Sequence, residues 1–378
     1  YPENTTDANA NVEVTITGIG NYTGTRTTSY AINRKAVTLT SADGSKTYDG
    51  QPLTAESVTP EGFVEGQGAT YSGFATVIEV TETAVPNTFS YTLNEGTLES
   101  NYNITANYGS LTITPKTIVP DGPETPEEKK TGIEATIPEG SKYDGTEHKN
   151  APTVTDTKTG VTLTEGTDYT LTYSEDVTNA GTVTVTVTGK GNYTGEFNVT
   201  YEITKRDVVL TSATDSKKFD GTPLRNENVE VTGEGFAEGE GATYSEFAEV
   251  TNVTDEAVAN TFTYTLNENT LASNYNITTE LGTLTITPKT ITPDQPGTPE
   301  EEKPGITVEN PGDVKYDGKD HAEKPVIKDE KTGVTLEEGK DYEIVYPDDI
   351  KNAGEITATV VGKGDYEGSF EIKFNILK

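Results

Sequence analysis

Apolar side chains recur at every second position along most of this chain. From Thr182 to Thr188 threonine and valine alternate without a break, so Val183, Val185 and Val187 point one way and the threonines the other. Val12, Val14 and Ile16 hold the same places near the start, as do Ile356, Ala358 and Val360 near the end. A second run, Phe197, Val199, Tyr201 and Ile203, is matched by Phe370, Ile372, Phe374 and Ile376. Each run predicts a half-buried antiparallel strand. No window of helical length carries an apolar stripe. Glycine-rich turns such as Gly189-Lys-Gly-Asn separate the runs, at places where a tight turn needs residues tolerant of positive φ.

The runs belong to internal repeats. Ala69-Thr-Tyr-Ser, Phe89-Ser-Tyr-Thr-Leu-Asn, Ser100-Asn-Tyr-Asn-Ile-Thr and Leu111-Thr-Ile-Thr-Pro-Lys-Thr return 173 residues later, starting at Ala242, Phe262, Ser273 and Leu284. This is repeat A. Repeat B carries Lys142-Tyr-Asp-Gly, Gly166-Thr-Asp-Tyr, Asn179-Ala-Gly and Gly189-Lys-Gly-Asn-Tyr-Thr-Gly, and 173 residues later its second copy carries Lys315-Tyr-Asp-Gly, Gly339-Lys-Asp-Tyr, Asn352-Ala-Gly and Gly362-Lys-Gly-Asp-Tyr-Glu-Gly. Gly18-Ile-Gly-Asn-Tyr-Thr-Gly places the back part of a further B at the start. The expected division is a partial B at 1–33, A at 34–117, B at 118–204, A at 205–290 and B at 291–378. Tyr48-Asp-Gly and Phe219-Asp-Gly in A echo the Tyr-Asp-Gly of B, which suggests a common ancestral module.

Repeats of about 85 residues suit small β-sandwiches. The expected fold class is therefore all-β: a tandem array of small Ig-like β-sandwich domains forming an extended rod, with a β-grasp-like fold as the alternative for the A repeats. A strand of about eight residues spans about 26 Å, so the array in line would reach on the order of 120–160 Å. Both full B repeats open with proline- and glutamate-rich segments, Pro120 to Lys130 and Pro293 to Pro304, expected to be extended A-to-B linkers. The B-to-A joints, Ile32 to Ala36 and Ile203 to Asp207, have no spacer and are expected to be stiffer. Residues 1–33 are expected to pack on A, to pair with another chain, or to belong to a domain whose front half lies elsewhere, since a half-sandwich exposes edges and core.

Composition narrows the function. The 378 residues contain no Cys, Met or Trp, so no disulfide or thiolate metal site exists and the thin cores rest on Val, Ile, Leu, Tyr and Phe. A net charge of −34 repels nucleic acid and anionic lipid and favours solubility of a long molecule. The same acidic exterior can hold divalent cations loosely, so weak surface calcium stays an alternative. No apolar run is long enough for a spanning helix and no signal peptide opens the chain, so a signal and anchor are expected outside this segment.

The chemistry-bearing residues point to no active site. His148 and His321 take the same place in the two full B repeats, one per domain, with no second fixed nitrogen ligand and no nearby serine or cysteine nucleophile. The Gly189 to Gly195 turn and the run from Gly233 to Gly241 lack the strand-turn-helix context that phosphate binding needs. Paired carboxylates are abundant but no cleft is evident, and calcium loops of the alternating Asp type are missing. Tyr22, Tyr193 and Tyr366 are expected to be corner residues with buried rings and hydroxyls bonded to backbone, against the alternative of ligand-stacking platforms. Lys142 and Lys315, with Asn179 and Asn352 and with Asp168 and Asp341 as acids, are candidates for isopeptide bonds, against the default of surface lysines and turn asparagines. No catalytic, cofactor-binding or metal residue is assigned, and ligand-binding residues are left unassigned.

The Tyr-Asp-Gly opening, Asn-Tyr-Asn-Ile-Thr and the terminal Leu-Thr-Ile-Thr-Pro-Lys resemble the MBG or YDG-type repeats of bacterial cell-surface proteins. The Gly-Thr-Asp-Tyr, Asn-Ala-Gly and Gly-Lys-Gly-Asn-Tyr-Thr-Gly unit resembles the Ig-like repeats that accompany them in wall-anchored adhesins of Gram-positive gut bacteria. The resemblance covers nearly the whole chain. It implies an extracellular, non-enzymatic stalk that projects a distal adhesive domain from the cell wall, a monomeric rod within a longer chain. The alternative function is avidity, with each repeat a weak module for glycan, mucin or protein. A Leu-Pro-X-Thr-Gly sorting motif is absent from the chain. The net charge argues against nucleic acid as a partner, and the lack of a long apolar run argues against membrane insertion.

Overall fold

A computed structural model describes residue 2 and residues 5–378. Strands and turns make up almost all of it, and the described residues hold short 3-10 turns but no α-helix. The β-grasp alternative for the A repeats therefore falls, since that fold lays a helix across its sheet. The chain forms two compact units, one of Tyr1–Ser141, Glu147–Val177 and Gly181–Ile203, the other of Lys142–Thr146, Thr178–Ala180 and Thr204–Lys378.

In the first unit, strands Asn9–Thr17 and Thr25–Ile32 form an antiparallel hairpin, a two-stranded sheet. The A repeat that follows builds one sheet around Lys35–Ser41, antiparallel to Val58–Glu61 and parallel to Tyr102–Asn107. A second sheet runs Gly44–Thr47 parallel to Ser110–Thr114, with Val85–Pro86 on the other edge. Hairpin Ala69–Ser72 with Ser90–Leu93 completes the repeat. A two-residue period marks which face is buried but not strand direction, and A proves to be a mixed fold because its first strands pair parallel with its last. Val37, Leu39 and Tyr102 fill its core, with Phe63, Tyr71 and Phe89 packed against them. Asn87 pins the loops by donating to the carbonyls of Ala42 and Ala55, 2.9 Å each. Gly109 is required there, because a Cβ would lie 2.6 Å from the Ala42 backbone.

The B repeat of the same unit is a two-layer sandwich. Ile133–Ala135, Val154–Asp156 and Val161–Thr162 form one sheet. Tyr169–Tyr173, Gly181–Gly189 and Glu196–Thr204 form the antiparallel body of the other. The alternating valines face inward as expected, and Val187 joins Ile118, Ile133, Val154, Leu163, Tyr169 and Tyr193 in one core. The Pro/Glu-rich segment is a closed loop. Asp121 accepts from the N–H groups of Thr131 and Gly132 at 2.8 and 2.6 Å, while its own N–H donates to Ile133 O.

The second unit repeats the pattern. Arg206–Ser212 lies between Val229–Gly233 and, in parallel, Tyr275–Glu280. Asp215–Lys218 runs parallel to Thr283–Thr287, and Asn260 takes the pinning role of Asn87. Its B repeat stacks a sheet of Ile306–Glu309, Val326–Asp329 and Val334–Thr335 on a four-stranded sheet. That sheet is ordered Val314–Lys315, Ser369–Leu377, Gly354–Gly362, Tyr342–Val345. Asp294 closes the Pro/Glu-rich loop by accepting from Gly305 N–H.

Candidate functional site: a buried lysine–aspartate–tyrosine joint

Where A runs into B, Pro115 ends the strand Ser110–Thr114 and the chain restarts as the two-residue strand Lys116–Thr117. That strand no longer pairs with A. It lies parallel to Tyr193–Thr194 of B, with Lys116 opposite Tyr193. Lys116 N–H donates to Asn192 O and Ile118 N–H to Thr194 O, at 3.0 and 2.8 Å. The last strand of A is thereby stitched into B before the proline-rich loop begins.

This register sends Lys116 inward. Its Nζ lies 2.6 Å from Asp156 Oδ2, and both side chains are buried. Tyr193 Oη donates to the same oxygen at 3.2 Å, and Asp156 Oδ1 accepts the N–H groups of Lys158 and Thr159. Asp156 sits at the start of a turn closed by Gly160, whose φ of 74° suits glycine. Four donors saturate the carboxylate, so it has no lone pair left for a ligand and acts as a fixed counter-charge. Burial, followed by the charge of Asp156, pushes the Tyr193 phenol well above its ordinary value.

Tyr-Asp-Gly now has a structural role. Tyr48 rests edge-on against Tyr193, ring centroids 5.7 Å apart. Asp49 accepts Gln51 N–H at 2.9 Å, and Gly50 takes a φ of 73° with Thr159 against it, where a Cβ would meet Thr159 Cγ2 at 3.2 Å. Asn192 Oδ1 accepts Val80 N–H at 2.9 Å, a further tie.

The second unit builds the same joint from Lys289, Asp329 and Tyr366. Lys289 Nζ reaches both Asp329 oxygens at 2.6 Å, and Tyr366 Oη donates to Oδ2 at 3.1 Å. Phe219 replaces Tyr48 against Tyr366, at 5.6 Å, and Asp365 replaces Asn192 in accepting Val253 N–H. Tyr366 is likewise raised, chiefly by burial and then by Asp329. Removing one member of such a buried pair costs about 3–5 kcal/mol, because the other charge is left uncompensated.

No protein-family model matches the chain, and no curated protein matches it. Among solved structures it is similar to "Sidekick-1 immunoglobulin domains 1-5", at 10% identity and a TM-score of 0.25, covering 94% of this chain and 83% of that one. It is also similar to "Protocadherin gammaB7 EC3-6 cis-dimer structure", at 9% identity and a TM-score of 0.26, covering 89% and 99%. Likenesses this slight carry no weight, and the fold stands on its own strand pairing.

The residues singled out in the sequence fare differently. Tyr193 and Tyr366 have buried rings as expected, but their hydroxyls bond to carboxylates rather than to backbone. Tyr22 is 79% exposed rather than buried as a corner residue, and among the described residues no sheet faces the hairpin of Asn9–Ile32. The isopeptide sets are not assembled. Lys142 pairs with Glu234 at 2.8 Å, Asn179 accepts from Asn274, and Asp168 accepts Thr164 N–H. Asn352 donates to Asp349, while Asp341 accepts Glu337 N–H. His148 offers its carbonyl to Tyr201 Oη. His321 Nε2 lies 3.1 Å from Asp317 Oδ1 without the alignment of a hydrogen bond. Among the described residues no three His, Cys, Asp or Glu side chains are grouped to hold a metal. Lys116, Asp156, Lys289 and Asp329 were missed. Their signal was present, since Pro-Lys-Thr and Asp-X-Lys-Thr-Gly recur at the repeat offset and Asp156 falls in the inward register of Val154.

Proposed function

We propose that the chain is a stretch of stalk from a bacterial cell-surface adhesin, with MBG or YDG-type A repeats alternating with Ig-like B repeats along the boundaries given above. Its work is to hold a distal adhesive domain away from the cell wall. The observation that carries this reading is the buried lysine–aspartate–tyrosine joint, built twice with the same residues. A spacer needs fixed joints, and a charge pair sealed inside each A-to-B passage supplies one where a free linker would bend. Among the described residues no helix is long and apolar enough to cross a membrane, and export and wall anchoring belong to this proposal.

The avidity reading keeps one specific support: Tyr91 and Tyr264 are exposed at the same place in the two A repeats. Two measurements separate the readings. Spin labels at Glu95→Cys and Lys149→Cys should give a narrow distance distribution that Asp156→Ala broadens. The full chain clustered on beads should stay silent on a mucin and glycan panel with and without calcium. Binding by clustered chains that is lost with Tyr91→Ala and Tyr264→Ala would favour avidity instead.

A further inference from the structure

The chain enters and leaves each A repeat on neighbouring strands that point the same way. In the first, the entering strand Lys35–Ser41 lies parallel to Tyr102–Asn107, from Lys35 opposite Tyr102 to Thr40 opposite Asn107. After Ala42 and Asp43, Gly44–Thr47 lies parallel to the leaving strand Ser110–Thr114, from Gly44 opposite Leu111 to Thr47 opposite Thr114. Tyr48 N–H adds a last bond to Thr114 O at 2.9 Å. The second A repeat has both ladders again, Arg206–Ser212 with Tyr275–Glu280 and Asp215–Lys218 with Thr283–Thr287, and Phe219 N–H bonds to Thr287 O at 2.9 Å.

This pairing decides how the repeat answers a pull on its two ends. Tension draws the entering strands back towards their N-termini and the leaving strands forward towards their C-termini. Parallel neighbours are thereby slid along each other, so the ladder bonds stretch together and must fail together. Strands pulled apart from one end instead part bond by bond.

The ladders are also sealed into the core. Val37 and Leu39 on the entering side and Leu111 and Ile113 on the leaving side are buried, so sliding drags four apolar side chains out of their packing. Ser41 Oγ donates to Asn87 O at 2.7 Å and accepts Gly109 N–H at 3.0 Å, which ties the bend between the entering strands to the bend between the leaving ones. Ser212, with Asn260 and Gly282, makes the same tie in the second copy. Beyond each A repeat the load passes on in the same geometry, because Lys116–Thr117 and Lys289–Thr290 also pair in parallel, with Tyr193–Thr194 and Tyr366–Glu367.

We propose that the A repeats are tension clamps, folded to carry load applied between the two ends of the chain, a function beyond that of setting distance. The proposal rests on the stalk reading for the source of the load alone. The load-bearing parts are the two parallel ladders of each A repeat and the serine that ties them. Resistance to such a pull is set by the barrier to unfolding rather than by equilibrium stability, so the direction of pulling alone should change it.

The chain has no cysteine, so pulling points can be placed at will on exposed side chains. In the full chain, Lys35→Cys with Thr114→Cys loads the first A repeat in shear. Gln51→Cys with Thr114→Cys pulls instead from the C-terminal ends of Gly44–Thr47 and Ser110–Thr114 and unzips them. Single-molecule pulling at one loading rate should need at least about twice the force in the first variant. Lys205→Cys or Thr222→Cys, each with Thr287→Cys, repeats the comparison in the second A repeat. All four variants should unfold in denaturant as the parent does, which separates pulling direction from lost stability. Equal forces in the two directions would overturn the clamp. The stalk reading falls separately: glycan capture by clustered chains would remove it and leave the force ratio unchanged.

Discussion

The hairpin Asn9–Ile32 and the back half of each full B repeat share one sequence pattern and are alike at Val12 and Val183, both 1% exposed, but differ towards the glycine turn. Tyr22 is 79% exposed and Tyr193 4%, while Ile16 is 56% exposed and Val187 is fully buried. Alternation therefore specifies a strand and its faces, and a second sheet decides whether the inward face is a core. In the full repeats that sheet brings more than apolar area. It brings Asp156 or Asp329, which turns a ring at a corner into one member of a buried electrostatic joint.

Six variants would sharpen or break this contrast. The largest effect is expected from Asp329→Ala, which strands the Lys289 charge in the core and should cost about 3–5 kcal/mol in chemical denaturation of the second B repeat. Replacing both partners, Lys289→Met with Asp329→Leu, should recover most of that loss, since a buried pair contributes little beyond an apolar pair of similar volume. Next, Tyr193→Phe removes a hydrogen bond to a charged acceptor and should cost about 1.5–3 kcal/mol, whereas Tyr22→Phe should stay within about 0.5 kcal/mol. Val187→Ala should cost about 2 kcal/mol in lost burial and cavity, and Ile16→Ala almost nothing.

The smallest effect is expected from alkali. The phenols of Tyr193 and Tyr366 are raised in the folded chain, so the folded state resists ionisation while the unfolded chain ionises near pH 10. Their contribution is complete below about pH 10 and is lost as pH rises beyond it. The variant with Tyr193→Phe and Tyr366→Phe should lose less stability than the parent between about pH 9 and 11.

Much of the fold was legible from period and repetition. Val183, Val185 and Val187 and the pairing of Gly181–Gly189 with Glu196–Thr204 follow from alternation and a glycine turn. The parallel pairing of Lys35–Ser41 with Tyr102–Asn107 does not, because side-chain period is blind to strand direction. The joint escaped for a different reason. Lysine and aspartate read as surface residues unless their partner is known, and Lys116 and Asp156 meet across 40 residues of chain. The proline-rich segments read as linkers from composition, whereas the carboxylates and N–H groups of Asp121 and Asp294 close them into loops.

The most direct test of the central claim is amide hydrogen exchange at Ile118 and Ile291, whose N–H groups donate to Thr194 O and Glu367 O. If the joints are fixed, both amides exchange as slowly as those of Val187 and Val360 in the neighbouring sheets, and Asp156→Ala and Asp329→Ala release them. Exchange in the parent as fast as in the exposed Pro/Glu-rich loops would contradict the account.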